Sequence, residues 1–151
     1  MTITKPQAIE ALRQELSDKR ASAQRAYDSS HSGATSDQAK QESKYDTRGL
    51  EESYLANGLA RALRDLETAL ADLDYCERHP EGERVEVGHL VHCQRDGDAV
   101  SFLLSHTGGG IEATVEGIEI TIITPESPLA KQLIGKSAGQ RAAAFKVIAV
   151  L

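Results

Sequence analysis

Apolar residues recur every three or four positions through Leu59, Leu63, Leu66, Leu70 and Leu73, the far end of a stretch that begins at Asp37. That spacing draws one stripe along a single helix, predicted over about 37–78. No proline interrupts it, and its glycines, Gly49 and Gly58, cost about 1 kcal/mol each relative to alanine. At 1.5 Å per residue the run to Leu73 is roughly 55 Å long, so its stripe needs a partner. Ile9, Leu12 and Leu16, followed by Ala23, Ala26 and Tyr27, supply a second stripe over about 5–28, started by Thr4 and Pro6. Between the two, Asp28–Ser36 is polar and contains Gly33, the composition of a connection in an antiparallel helical hairpin. Ser36 is the expected N-cap of the second helix, with Asp37 in its first turn, where the helix dipole favours an anion. With residues 28 and 37 level at the tip, residue 60 falls beside residue 5. Leu63–Leu73 would then overshoot and need cover from the C-terminal part.

The period changes after His79-Pro80-Glu81-Gly82, a proline–glycine helix stop. Arg84–Val87 alternates, Gly88–Cys93 reads as a strand, Arg95–Asp98 as a hairpin turn and Ala99–Ser105 as the returning strand. Gly108–Gly110 is a loop, Glu112–Glu116 and Glu119–Thr124 are further strands, Ser127–Ile134 is a short helix closed by Gly135, and residues 143–151 form a terminal strand. The expected fold class is α+β: an antiparallel coiled-coil hairpin, residues 1–79, followed by a small sheet domain, residues 80–151.

Composition narrows the function classes. The net charge of −6 is spread over both halves, 11 basic against 14 acidic residues in 1–79 and 6 against 9 in 80–151. An acidic chain of this kind does not bind nucleic acid by blanket neutralisation of phosphates, so stable sequence-specific DNA binding is not expected. Cys76 and Cys93 have no metal or redox spacing, as in a reduced cytoplasmic chain. No apolar run is long enough for a membrane span, and Lys5, Glu10 and Arg13 break any leader-like core.

One segment carries a resemblance. Thr124-Pro-Glu-Ser-Pro-Leu-Ala-Lys-Gln-Leu-Ile-Gly-Lys136 is similar to the Ser-Pro-Ile/Leu-Ala-x-x-Leu-Ile/Leu-Gly-Lys signature of the Gre family of bacterial transcript cleavage factors. The order of a helical hairpin before a sheet domain also resembles that family, and Glu42-Ser-Lys-Tyr45 is similar in flavour to its tip motif. The resemblance implies a sheet domain of FKBP-like shape docked on RNA polymerase, with Ser127, Pro128, Leu129, Lys131, Gly135 and Lys136 as docking residues. It implies a hairpin inserted through the secondary channel toward the 3′ end of the nascent RNA. Tip acids would there hold a Mg²⁺ beside the polymerase's own metal, so that water attacks backtracked RNA. Asp37, Glu42 and Asp46 are the candidate acids; no metal or cofactor is expected to bind stably without polymerase, and any hydrolysis belongs to the polymerase. Counting back from Tyr45, the family's two acidic positions fall on Gln38 and Gln41; aligning Gly33 instead gives Ala34 and Asp37. Two outcomes follow: a cleavage-stimulating factor, or a Gre-fold regulator that occupies the channel without cleavage. A coiled-coil adaptor unrelated to polymerase is the alternative from another class, and a metal-dependent hydrolase acting alone is a distant third.

Other groups have plainer readings. Asp37 is a favourable helix N-terminal charge, and Glu42 and Asp46 are four apart on a solvated face. His89, His92 and Cys93 do not share a strand face, since alternation puts His92 opposite the other two, so a common ion is awkward. Ser127 before a proline is a helix cap. Gly108–Gly110 lacks the Lys-Ser/Thr of a phosphate loop. Phe102 and Phe145 are the sheet domain's only aromatics, too few for a proline-isomerase pocket.

Overall fold

The computed structural model describes residues 2–35 and 48–151. Two long helices come first, α1 (Lys5–Thr35) and α2 (Arg48–Arg78). Six strands and a short helix follow: β1 (Leu90–Arg95), β2 (Asp98–Leu104), β3 (Glu112–Val115), β4 (Ile118–Ile123), α3 (Pro128–Leu133), β5 (Arg141–Ala142) and β6 (Phe145–Val150). The chain forms two compact units, one of residues 1–16 with 68–151 and one of residues 17–67.

The expected connection at 28–36 is a correction: α1 continues through it to Thr35. Serine, histidine and threonine each cost well under about 1 kcal/mol in a helix, and without a proline nothing there enforces a stop. The N-terminal part of the expected second helix, with Asp37, Glu42 and Asp46, lies outside the described residues. The expected register is also corrected. Lys5 Nζ donates to the carbonyl of His79 at 2.9 Å, and the Arg13 guanidinium donates to Asp74 and Glu77, each at 2.7 Å. In the other unit Arg20 donates to Glu67 at 3.0 Å. Residue 5 is therefore level with 79, not 60, and α2 has no overshoot. Ion pairs this exposed add little stability, about 1 kcal/mol or less each. Their part is to fix which turns of the two helices meet.

The sheet order is β3-β4-β2-β1-β6-β5; β2 and β4 are parallel and every other pair is antiparallel. Asp96-Gly97 makes the β1–β2 turn, both residues at positive φ. Between His92 and Cys93 the pairing of β1 with β6 shifts register, a bulge. Strand alternation gives the sheet two apolar faces. Val91, Cys93, Phe102, Leu104, Ile123 and Val147 pack with Ala130 and Leu133 of α3. Leu90, Leu103, Ile120 and Ile122, none more than 1% exposed, form the other face. The ends of the long helices that belong to this unit cover it. Ile3, Ile9, Leu12, Leu16, Leu73 and Cys76 are fully buried, the Cys76 thiol lies 3.7 Å from the carbonyl of Leu104, and the Thr107 hydroxyl donates to Asp72 of α2. The layers are helix pair, sheet, short helix. Among the described residues no helix is long and apolar enough to cross a membrane.

Candidate functional site

The Thr124–Lys136 segment folds as a capped hook on one face of the sheet. Leaving β4, the chain turns where Ser127 N–H donates to the Thr124 carbonyl at 2.9 Å. Ser127 is extended, at φ −70° and ψ 146°, and its hydroxyl accepts the Ala130 N–H at 3.1 Å. Pro128 occupies the first turn, where its missing N–H costs nothing. Ala130 and Leu133 are fully buried and anchor the helix to the sheet. At the far end Gly135, at φ +87°, reverses the chain. Its N–H donates to the Val85 carbonyl at 2.8 Å, and Val85 N–H donates to the Lys136 carbonyl at 2.9 Å. Residues 84–87, which alternate in sequence, thus form no strand of the sheet but lace the hook down through Val85, itself 1% exposed.

This arrangement sorts the six docking candidates. Pro128, Lys131 and Gly135 are exposed, Lys136 is half-buried, Leu129 packs partly against the core, and the Ser127 hydroxyl is committed to the cap. Sequence reasoning missed Ile134, which is 42% exposed beside Lys131. Its place after the helix, with the chain already turning toward Gly135, is what leaves it unburied. The displayed surface is a proline, a lysine and an isoleucine on a helix held rigidly from below. It has no nucleophile–base pair.

On the same face of the sheet Phe102 and Phe145 meet edge to face at 5.1 Å, and the Arg95 guanidinium lies 5.2 Å from the centre of the Phe145 ring. The aromatic surface beside the cleft of about 370 Å³ that they line with Asp98, Glu119 and Thr121 is therefore partly covered by a cation.

The three His/Cys residues of the first strand region serve different ends. Cys93 is in the α3-side core, and burial alone pushes its thiol up to about 11, so it is inert at neutral pH. His92 faces the helices. Its Nε2–H donates to the carbonyl of Ile3 at 2.9 Å, and its Nδ1 accepts the Ser101 hydroxyl at 2.6 Å, which fixes one neutral tautomer. Desolvation holds its pKa below the ordinary histidine value, and among the described residues no ionic group lines the space around it. Between the unfolded and folded pKa the unfolded chain binds the extra proton, so stability rises with pH there. The contribution is complete above about pH 6.5 and is lost as the pH falls through the lower folded value. The midpoint of urea unfolding should therefore drop from about pH 8 to about pH 5, and drop less in His92→Gln. An equal drop in both chains would remove His92 as a source. His89, also shifted down by desolvation, acts in the same direction.

No family model matches the sequence, and no curated protein matches it either. Among solved structures the chain is similar to the GreA factor homolog 1 (Gfh1) protein of Thermus thermophilus, at 22% identity over 95% of this chain and 94% of that one, with a TM-score of 0.32. A structure of the transcription factor Gfh1 gives 18% identity over 95% and 92%, and Gfh1 of Thermus aquaticus gives 18% over 93% and 94%, both again at a TM-score of 0.32. Scores this low carry no weight for a shared fold.

Proposed function

We propose that the chain is a transcription factor that binds RNA polymerase and modulates elongation through the secondary channel. The sheet unit, read as FKBP-like, docks on the rim of the channel, and the helical pair, read as a coiled-coil finger, reaches toward the RNA 3′ end. The observation that carries this reading is the Thr124–Lys136 signature, folded so that Pro128, Lys131 and Ile134 face solvent while Ser127, Ala130 and Leu133 hold them in place. Lys131 and Lys136 supply positive charge on a chain whose net charge is −6, which fits a local contact with an acidic rim.

The proposed tip acids are Asp37, Glu42 and Asp46, ligating Mg²⁺ only together with polymerase. Gln38 and Gln41, at the positions where the signature family carries acids, favour a second reading, a channel-occupying regulator without cleavage. A neutral amide is a poor substitute for a carboxylate on a hard cation.

The test uses stalled, backtracked elongation complexes and purified chain. Wild type should bind, and Lys131→Glu should weaken binding at least about 10-fold, the equivalent of 1.4 kcal/mol. RNA shortening by wild type but not by Asp37→Asn/Glu42→Gln identifies a cleavage factor. Binding that slows or stabilises the complex without shortening identifies the regulator. No binding by wild type would leave the coiled-coil adaptor as the surviving reading.

A further inference from the structure

We propose a zinc site in the loop that leads from α2 to β1, with His79, Glu86 and His89 as its protein ligands. One ligand atom from each lies within 4.8 Å of the others, inside the sheet unit. His79 Nε2 is 2.9 Å from Glu86 Oε1, and the two imidazoles meet edge to face with centroids 4.9 Å apart. Two nitrogens and one carboxylate oxygen form a donor set that suits a borderline cation such as Zn²⁺ over Mg²⁺.

The hydrogen bonds of His89 carry the argument further than proximity does. Its Nε2 is 3.1 Å from the carbonyl of Pro80, which can only accept, so Nε2 bears the proton. Its Nδ1 accepts the backbone N–H of Glu86 at 3.1 Å and so holds the lone pair on the side of Glu86. A metal-binding imidazole is commonly oriented by one nitrogen donating to a backbone carbonyl, as Nε2 does here. Zinc would take over the lone pair that the Glu86 amide now uses. On His79 the proton leaves Nε2 for Nδ1, so both rings bind as neutral imidazoles.

Both rings are seated by glycines. A Cβ at Gly82 would come within 3.1 Å of His89 Cε1, and one at Gly88 within 2.5 Å of His79 Cγ. Ligand bonds of about 2.0–2.1 Å put tetrahedral ligand atoms roughly 3.3 Å apart, so the cluster must draw in by at most about 1.5 Å. The means are present: Glu86 has a side chain 62% exposed, and residues 79–89 belong to no helix or strand. Water completes the shell. The Lys5 ammonium, 2.9 Å from the His79 carbonyl, opposes a second cation and sets a limit on affinity.

The experiment is calorimetric titration of the tag-free chain with Zn²⁺, with Mg²⁺ as the control and Co²⁺ as a spectroscopic probe of tetrahedral N/O ligation. One Zn²⁺ should bind per chain with a dissociation constant on the order of 1 μM, and Mg²⁺ should give no heat. His79→Gln and Glu86→Gln, both at sites with solvent access, should each lose more than the 10- to 100-fold that a missing supporting hydrogen bond costs a metal site. Circular dichroism of each variant confirms folding without metal. Zinc binding weaker than about 100 μM, or unchanged in both variants, overturns the assignment. No polymerase takes part, so the result stands apart from the reading of the docking hook.

Discussion

Leu103→Ala should destabilise the chain by about 3–5 kcal/mol, a fifth or more of the roughly 5–15 kcal/mol that stabilises an ordinary domain. Leu103 lies on the central strand β2, fully buried, opposite Leu90 of β1 and Ile122 of β4 on the same face. Leu90 and Ile122 are themselves at most 1% exposed, so neither has solvent-side freedom to fill the space a leucine leaves. Transfer and cavity terms therefore add. The cost should fall on unfolding as a whole, since this face is where the helix ends and the sheet share one core. The chain has no tryptophan, so urea unfolding is best followed by far-ultraviolet circular dichroism. Leu55→Ala is the control: Leu55 is 56% exposed, and its loss should stay within about 0.5 kcal/mol. A Leu103→Ala cost near that of Leu55→Ala would mean that the helix ends do not cover the sheet in solution.

The elements most legible in the sequence are those with a local cause. The leucine spacing marks α2, Asp96-Gly97 marks the β1–β2 turn, and Ser127-Pro128 marks the start of α3. What could not be read off has non-local causes. The parallel pairing of β2 with β4 requires the chain to cross over through β3, and no local pattern announces it. The helix register is set by Lys5, Arg13 and Arg20 finding acceptors 74, 61 and 47 residues away, separations that no local pattern announces. The extent of α1 turns on small propensity differences across a serine-rich stretch, where the absence of proline outweighs the polar composition. β5 has two residues, too few for any periodicity.

The hook at residues 124–136 was legible because cap, proline and glycine sit close together in sequence. Its exposed face was only half legible, since Leu129 and Ile134 are both aliphatic and only packing separates them. The grouping of His79, Glu86 and His89 has no tight sequence spacing of the kind that His89, His92 and Cys93 show. The useful signal lay in the longer loop: a histidine at each end, Glu86 near one of them, and glycines at 82 and 88. Two histidines flanking a glycine-containing loop can face each other when small residues let the backbone fold back.

Gly88→Ala should cost about 3 kcal/mol or more, from two effects that experiment can separate. Gly88 sits at φ +107°, where a side chain is strained by about 1–3 kcal/mol. Its new Cβ would also lie 2.5 Å from Cγ of His79 and 2.8 Å from Cβ and Cδ2 of the same side chain. That contact cannot persist, and overpacking of this kind costs about 1–3 kcal/mol more. The backbone cannot easily move instead, because Gly88 N–H donates to the Leu104 carbonyl at 2.7 Å, continuing the β1–β2 pairing. Gly97→Ala isolates the first effect: φ is +85° and the space around it is open, so only strain remains. His79→Ala removes the ring part of the second. In the double variant the ring is gone but the 2.8 Å contact with Cβ of residue 79 remains, so the Gly88→Ala cost should fall without reaching that of Gly97→Ala. The coupling energy should be about 1–3 kcal/mol, the range for residues in direct contact. A Gly88→Ala penalty unchanged by His79→Ala would place the whole cost in the backbone and leave the ring's position unsupported by this glycine.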